Sequence, residues 1–346
     1  MRRYTSLLLT AFTLLLFVLA GSFYLSGYAD RTNDRQVRQG ITVYTTLPAE
    51  HAALLAEEYE KANQIRVNFV PLEQKEILQR LAEQAAAPGK GQADLVLANR
   101  EVLEQAAQQD ILQAYVSEPS DSVPDELKNE NGYWTGVWYD PYVFCVNRDY
   151  LRTLPRVPRT WEELSELGHV RIGITDFLAA KAPADLFMTL NAQYGEDAVF
   201  HMLQLLHPKV VQYSKYLSTP VRMAGMGEVD ISVAVQSETL RYINDGYPLK
   251  IIYPEDGTAY TLTGTAVPKN PVHAAEAKAF ADWLLGDEAQ LVLQRNAFFF
   301  VPANPATLAD KMLAGKNIHL FGIPAPLPEA QRRALLDKWV KTVRLK

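Results

Sequence analysis

Cysteine is nearly absent. Cys145 is the single one among 346 residues, so no disulfide can form within the chain, and a metal site built on cysteines has no ligand set. Neither sign of charge dominates: 34 Lys and Arg stand against 40 Asp and Glu, a formal net charge of -6. That balance lacks the basic footprint of a nucleic-acid binder. It leaves an anionic ligand open, because a pocket acts through local dipoles rather than through net charge. The signatures of common catalysts are missing too. There is no Gly-x-Ser-x-Gly elbow, no His-Glu-x-x-His and no Gly-x-x-x-x-Gly-Lys, and the six histidines do not fall in metal-ligand spacing. Cys145 lies in an apolar run, Phe144-Cys145-Val146, and reads as a small buried hydrophobe rather than a nucleophile. The chain is therefore expected to have no catalytic residue, no metal ligand and no cofactor. No internal repeat recurs at a fixed period.

What the chain does have is core. Hydrophobic residues make up 48% and charged residues 21%, and the length suits two lobes rather than one. The amino terminus carries a targeting pattern. Arg2 and Arg3 precede an almost wholly apolar run, Leu7 to Ala20, and no charge returns until Asp30. Residues 1–29 read as a signal peptide cleaved after Ala29, with small residues at Gly27 and Ala29, or as an anchor retained over residues 7–28. Either sends the remainder to the extracytoplasmic side, with membrane contact through this segment alone. Residues 30–40 read as a linker.

From there strands and helices alternate. Ile41–Tyr44, Ile65–Val70 and Ala93–Ala98 have strand patterns; Ala49–Ala62, Gln74–Ala87 and Arg100–Gln109 have helical ones. That order implies a mainly parallel sheet covered on both faces. After an aromatic stretch from Tyr133 to Phe144 the alternation resumes. Strands are expected at Tyr142–Asn147, Val170–Ile174, Lys209–Tyr213, Ile231–Val235, Leu249–Tyr253 and Thr261–Val267. Helices are expected at Pro183–Tyr194, Glu196–Leu206, Thr219–Met226, Pro271–Leu285 and Asp287–Gln294. A last helix near Glu329–Val343 is expected to pack on the outside.

Several segments together resemble a known family. They are Val43-Tyr44-Thr45-Thr46; Ala93-Asp94-Leu95-Val96-Leu97; Gly132-Tyr133-Trp134-Thr135-Gly136 with Val143 to Asn147; Arg159-Thr160-Trp161-Glu162-Glu163-Leu164; Ala224-Gly225-Met226-Gly227-Glu228-Val229-Asp230; and Pro254-Glu255-Asp256-Gly257-Thr258 followed by Phe280, Trp283-Leu284-Leu285 and Glu288-Ala289-Gln290. In order and spacing they are similar to the extracellular solute-binding proteins of ABC importers, in the group that includes ferric-ion, phosphonate and sugar-phosphate binders. The resemblance covers about residues 41–305. It implies a two-lobed periplasmic-binding-protein type II fold of α/β class, each lobe a mainly parallel sheet flanked by helices, with crossover hinge strands. Lobe I would hold residues 38–138 and 262–346, and lobe II residues 139–261. It further implies a monomeric receptor without enzymatic activity that closes on a small solute and is read by importer membrane subunits. The alternatives are a membrane-tethered sensor reporting to a kinase, and a ferric-ion carrier. Against iron, the family's ferric binders place adjacent tyrosines just after the strand that here ends at Val235, where this chain has Gln236-Ser237-Glu238.

Candidate ligand residues follow from the chemistry of helix starts, which present unpaired N–H groups and a partial positive charge to anions. Three hydroxyl-rich starts come just after strands: Thr45-Thr46, Thr175-Asp176 and Ser218-Thr219-Pro220. Each is equally natural as a structural cap. Lys181 could add a counter-charge. Trp138 and Tyr139 could stack on the solute or belong to the core. Asp140 could hold a solute hydroxyl or amine, or cap a turn. The resemblance places Gln236 and Ser237 at the cleft, and Glu255 at the return crossover. A phosphorylated or carboxylated solute suits the helix starts; a polyamine or another cation remains open through Asp140, Asp176 and Glu255.

Overall fold

The computed structural model describes residues 38–346, apart from residues 88, 90, 91, 155, 314–316, 323, 325 and 326. The leader or anchor expected at 1–29 and residues 30–37 of the linker expected at 30–40 lie outside the described residues, while residues 38–40 open the first strand instead of belonging to the linker.

The strands used below are β1 (Arg38–Thr45), β2 (Ile65–Pro71), β3 (Leu95–Asn99), β4 (Leu112–Gln113), β5 (Thr135–Asn147), β6 (Ile172–Thr175), β7 (Val210–Ser214), β8 (Ile231–Val235), β9 (Leu249–Ile252), β10 (Tyr260–Pro268) and β11 (Val301–Pro302). The helices are α1 (Ala49–Asn63), α2 (Gln74–Ala86), α3 (Arg100–Gln108), α4 (Trp161–Glu166), α5 (Lys181–Tyr194), α6 (Glu196–Leu206), α7 (Ser218–Gly225), α8 (Gln236–Asn244), α9 (Ala274–Leu284), α10 (Asp287–Arg295) and α11 (Glu329–Trp339).

One continuous path of strands runs β2-β1-β3-β10-β5-β8-β6-β7. The pairs β1–β2 and β1–β3 are parallel, as are β6–β7 and β6–β8. These are the β-α-β pieces that the alternating sequence pattern calls for. The middle strands are antiparallel to their neighbours, and they join two cores. One core gathers β1, β3 and the front of β5 under α1, α2, α3 and α9, with Leu55, Ile77, Leu103, Trp134 and Phe280 fully buried. The other gathers Phe144, Trp161, Phe177, Phe187 and Val233. A smaller cluster under α7 contains Cys145, Val221, Ala224 and Ala234. Burial pushes the Cys145 thiol up to about 12, as expected of an inert small hydrophobe.

Strand β5 is 13 residues long, against six expected, because it serves both cores. Its front pairs with β10, Trp138 opposite Thr263, and its back pairs with β8, Tyr142 opposite Val235. A second crossing lies beside it, where the Tyr142 N–H donates to the Ala259 carbonyl. The fold is thus the two-lobed α/β architecture.

The C-terminal segment departs from the expected assignment of 262–346 to lobe I. Leu320 bridges to Thr258, and Phe321 packs against Gly257, whose φ is +108° and where a Cβ would sit 2.5 Å from the ring. Helix α11 and the π-turn after it (Val340–Arg344) then cover the core of the second lobe. Trp339 is 0% exposed and meets Phe177 at 4.9 Å and Tyr213 at 5.6 Å between ring centroids. The reason is hydrophobic: the second sheet needs an apolar cover on the face bearing Ile174 and Tyr213, and Trp339 and Val343 supply it.

Candidate functional site

The register fixes where the strand ends point. Trp138 and Asn99 both lie opposite Thr263, so Trp138 is level with the carboxyl end of β3. Tyr142 is level with Val235, the carboxyl end of β8. The carboxyl edges of the two parallel sheets therefore face each other across about four residues of extended strand, ~13 Å at ~3.3 Å per residue. Ligands of open α/β sheets bind outside the carboxyl ends of strands. Thr46, Asn99 and Tyr139 belong to one side of this gap; Tyr142, Thr175, Ser214, Ser218 and Gln236 belong to the other.

On the first side, much of the expected chemistry is spent internally. Thr45 is 0% exposed; its hydroxyl donates to the Leu97 carbonyl at 2.7 Å and accepts from the Leu47 N–H at 3.0 Å. It locks β1 to β3 and starts the turn into α1, so it is a structural residue rather than a solute contact. The Thr46 hydroxyl accepts from the Asn99 N–H at 3.3 Å. Trp138 is buried and stacks on Phe300 at 5.8 Å, which makes it core. Tyr139 is half-buried and meets Tyr260 edge-on. The Phe298–Phe300 run, absent from the sequence expectations, packs on His51, with ring centroids of Phe298 and His51 3.9 Å apart. Burial of His51 lowers its pKa.

On the second side, Asp140 fills the start of α8. Its carboxylate accepts from the Ser237 N–H at 2.9 Å and from the Ser237 hydroxyl at 2.5 Å. It is 6% exposed, and burial, opposed by those hydrogen bonds, raises its pKa to about 7. Gln236 is buried and accepts from the Tyr253 hydroxyl at 2.6 Å. The three expected ligands Asp140, Gln236 and Ser237 are thus brought together, but Asp140 and Ser237 satisfy each other and Gln236 is bonded to Tyr253. Asp176 accepts from the Leu178 N–H at 2.8 Å and from Arg344 at 3.1 Å, so its charge is met by the C-terminal turn. Glu255 is exposed and ion-paired with Arg159 at 2.5 Å. That pair uses the carboxylate expected at the crossover.

The start of α7 is different. Leu217 precedes it and gives no side-chain cap, and Ser218 and Thr219 are half-buried. Thr175 and Ser214 are register partners and so share a face of the sheet. Two residues before Thr175 stands Gly173, where a Cβ would lie 3.3 Å from Pro220 of α7. Both hydroxyls therefore lie on the face that α7 covers, at the end where that helix begins. Ser214 is fully buried and its hydroxyl has no partner among the described residues.

An ion network spans the gap. Glu101 of α3 meets Lys181 of α5 at 2.8 Å; Lys181 also meets Asp185 at 2.6 Å, and Asp185 meets Arg332 of α11 at 3.0 Å. Sequence reading singled out Lys181 but missed its partners, since nothing local marks Glu101 as lying across a cleft. The pairs are partly exposed, so salt screens them. Lys181→Met is expected to enlarge the radius of gyration at low ionic strength by small-angle scattering, and 1 M NaCl is expected to bring the parent protein to the same value. Identical curves for both proteins at low salt would show that the bridge does not hold the lobes. Among the described residues no group of three or more His, Cys, Asp and Glu could hold a metal ion, and no helix is long and apolar enough to cross a membrane.

Comparison with known proteins agrees with this geometry. A periplasmic binding protein from Actinobacillus pleuropneumoniae, AfuA, solved with fructose 6-phosphate, is 21% identical, covers 89% of this chain and 100% of its own, and has a TM-score of 0.66. The ferric iron-binding protein A of Mannheimia haemolytica, in an open conformation, is 17% identical with a TM-score of 0.67, covering 88% of this chain and 98% of its own. An extracellular solute-binding protein from Bordetella parapertussis reaches a TM-score of 0.72 at 18% identity, covering 88% and 99%. In sequence, a Haemophilus influenzae protein is 28% identical over 254 residues, 70% of this chain and 73% of that one. The family model for bacterial extracellular solute-binding proteins matches residues 90–323. That match takes in more than half of the sequence together with both crossings and the whole second sheet, and the chain belongs to the bacterial extracellular solute-binding proteins.

Proposed function

We propose that this member of the family is an extracytoplasmic receptor that holds a small organic anion at the start of α7 and delivers it to an ABC importer when the lobes close. The carrying observation is the first turn of α7, which no side chain caps, although its Thr219 N–H is used by the Tyr216 carbonyl at 3.2 Å and Pro220 has no N–H; beside it stand Thr175 at the carboxyl edge of the second sheet and the Ser214 hydroxyl, buried and without a partner among the described residues. The hydroxyls of Ser218, Thr219, Thr175 and Ser214, together with the helix dipole, suit a phosphate or carboxylate. The helix α8, whose start is where ferric-ion relatives carry their tyrosine pair, has its first turn occupied by Asp140. This supports an organic anion over iron. The sugar phosphate bound by AfuA fits the same reading. Closure traps the solute by contacts from both lobes, and the closed shape is what the importer reads.

The test is a thermal-shift screen of the protein with inorganic phosphate, fructose 6-phosphate, methylphosphonate, citrate and spermidine, followed by calorimetry on the best probe. The double substitution Ser218→Ala and Thr219→Ala is expected to weaken that probe about 10- to 100-fold, the loss of one or two charge-assisted hydrogen bonds. The melting temperature without probe should stay within a degree or two, because neither hydroxyl caps the helix. Unchanged affinity would remove α7 from the site. A shift with spermidine alone would replace the anion by a cation.

A further inference from the structure

Tyr142 is 2% exposed, yet its hydroxyl has no hydrogen-bond partner among the described residues. An unpaired buried hydroxyl costs on the order of 1–3 kcal/mol and is uncommon enough to require a reason. Its place supplies one. Tyr142 is the first residue of β5 past the gap, opposite Val235, and its main chain is held at the crossing by the Ala259 carbonyl and by the Thr258 hydroxyl. The main chain at position 142 therefore stands level with the carboxyl edge of the second sheet, and the side chain is part of that lobe's buried core. It lies on the face shared with Val235 and Ile174, opposite to the face that α7 covers. Two carboxylates act on it: Asp140, already filled by Ser237, and Asp185, which carries the Lys181–Glu101 bridge to the other lobe. With burial as the main cause, they push its hydroxyl well above the ordinary tyrosine range, so it is a donor throughout the physiological range.

We propose that Tyr142 is a specificity-determining residue whose hydroxyl donates to a neutral hydroxyl group of the bound solute. The solute hydroxyl would accept from Tyr142 and donate in turn to Asp185, which retains acceptor capacity beside Lys181 and Arg332. A second anionic group is disfavoured at this position by the two neighbouring carboxylates. The solute would then carry an anionic end at α7 and a hydroxylated end at Tyr142, on opposite faces of the second sheet's edge. This inference rests on the cleft reading above, and it adds a residue that the helix starts do not include.

The variant is Tyr142→Phe, which keeps the ring and removes the orphan. Two results are expected together. The melting temperature without solute should stay level or rise, because removing an unpaired buried hydroxyl relieves a cost. Calorimetry with fructose 6-phosphate and with methyl phosphate should show the parent protein favouring the hydroxylated probe at least 10-fold, and the Phe variant losing most of that preference while binding methyl phosphate as before. A site built to pair a substrate hydroxyl discriminates in this way. Equal discrimination in both proteins overturns the role of Tyr142 and leaves the α7 reading standing. A lower melting temperature in the Phe variant shows that the hydroxyl is used structurally and also overturns it. Silence of the parent protein toward both phosphate probes removes the anion reading and this inference with it.

Discussion

The protein with Asn at position 140 is expected to be more stable than its parent at pH 8 and nearly equal to it at about pH 3.5. The cause is the carboxyl group of Asp140, which is buried on the crossover strand and titrates at about 7 instead of near 3.8. A raised carboxyl pKa means that the folded state holds its proton more tightly than the unfolded state does. The stability this group contributes is thus fully present below the unfolded pKa and is lost as pH rises through the folded one. The window runs from about pH 4 to about pH 7. A shift of roughly three units corresponds to on the order of 4 kcal/mol. Asn keeps the shape and can still accept from the Ser237 N–H, but it does not titrate. Urea unfolding of both proteins at half-unit steps should therefore give a difference curve that slopes across that window and flattens outside it. Parallel curves would mean that the hydrogen bonds from Ser237 and the start of α8 hold the carboxylate as well as water does. The group also sits where the lobes hinge. Opening that lets water reach Asp140 would restore its ordinary pKa, so the pH dependence also reports on cleft motion.

How far the sequence reaches can be seen from particular residues. Helix α6 and strand β8 have the bounds expected from periodicity, because Gly195 (φ +84°) ends the preceding helix and Ile231–Val235 is an apolar run too short for a helix. The order of parallel pieces and the crossover were legible for the same reason: each rests on patterns local to the chain. The candidate residues were legible only as positions at strand ends. Whether a hydroxyl or carboxylate there is free depends on partners far away. Thr45 is used up by Leu97, 52 residues on; Asp140 by Ser237, 97 residues on; Asp176 by Arg344, 168 residues on. None of these pairings has a local signature, since they are created by sheet order and by the return of the C-terminus. The same holds in reverse for Tyr142. It reads as one more aromatic in a crossover strand, and only burial and hydrogen-bond accounting set it apart.

The return of the C-terminus carries the other large effect. Trp339→Ala is expected to cost about 3–5 kcal/mol, the usual range for removing a fully buried large aromatic from a core that cannot collapse around the gap. The indole is 0% exposed, is surrounded by Phe177, Tyr213 and Val343, and closes the face of the second sheet opposite to α7. Its Nε1–H has no partner among the described residues, so the loss is one of packing, and Trp339→Phe should cost markedly less than Ala. The loss should also be local in a telling way. Arg332 and Arg344 reach Asp185 and Asp176 from the same segment, so loosening α11 frees two carboxylates beside the cleft. Hydrogen exchange on Trp339→Ala should therefore show faster opening in α5 and β6, with β1 and β3 of the first lobe unchanged. Uniform protection loss across both lobes would mean that they unfold as a single unit. A variant as stable as its parent would mean that α11 merely rests on the surface, as the sequence pattern alone had suggested.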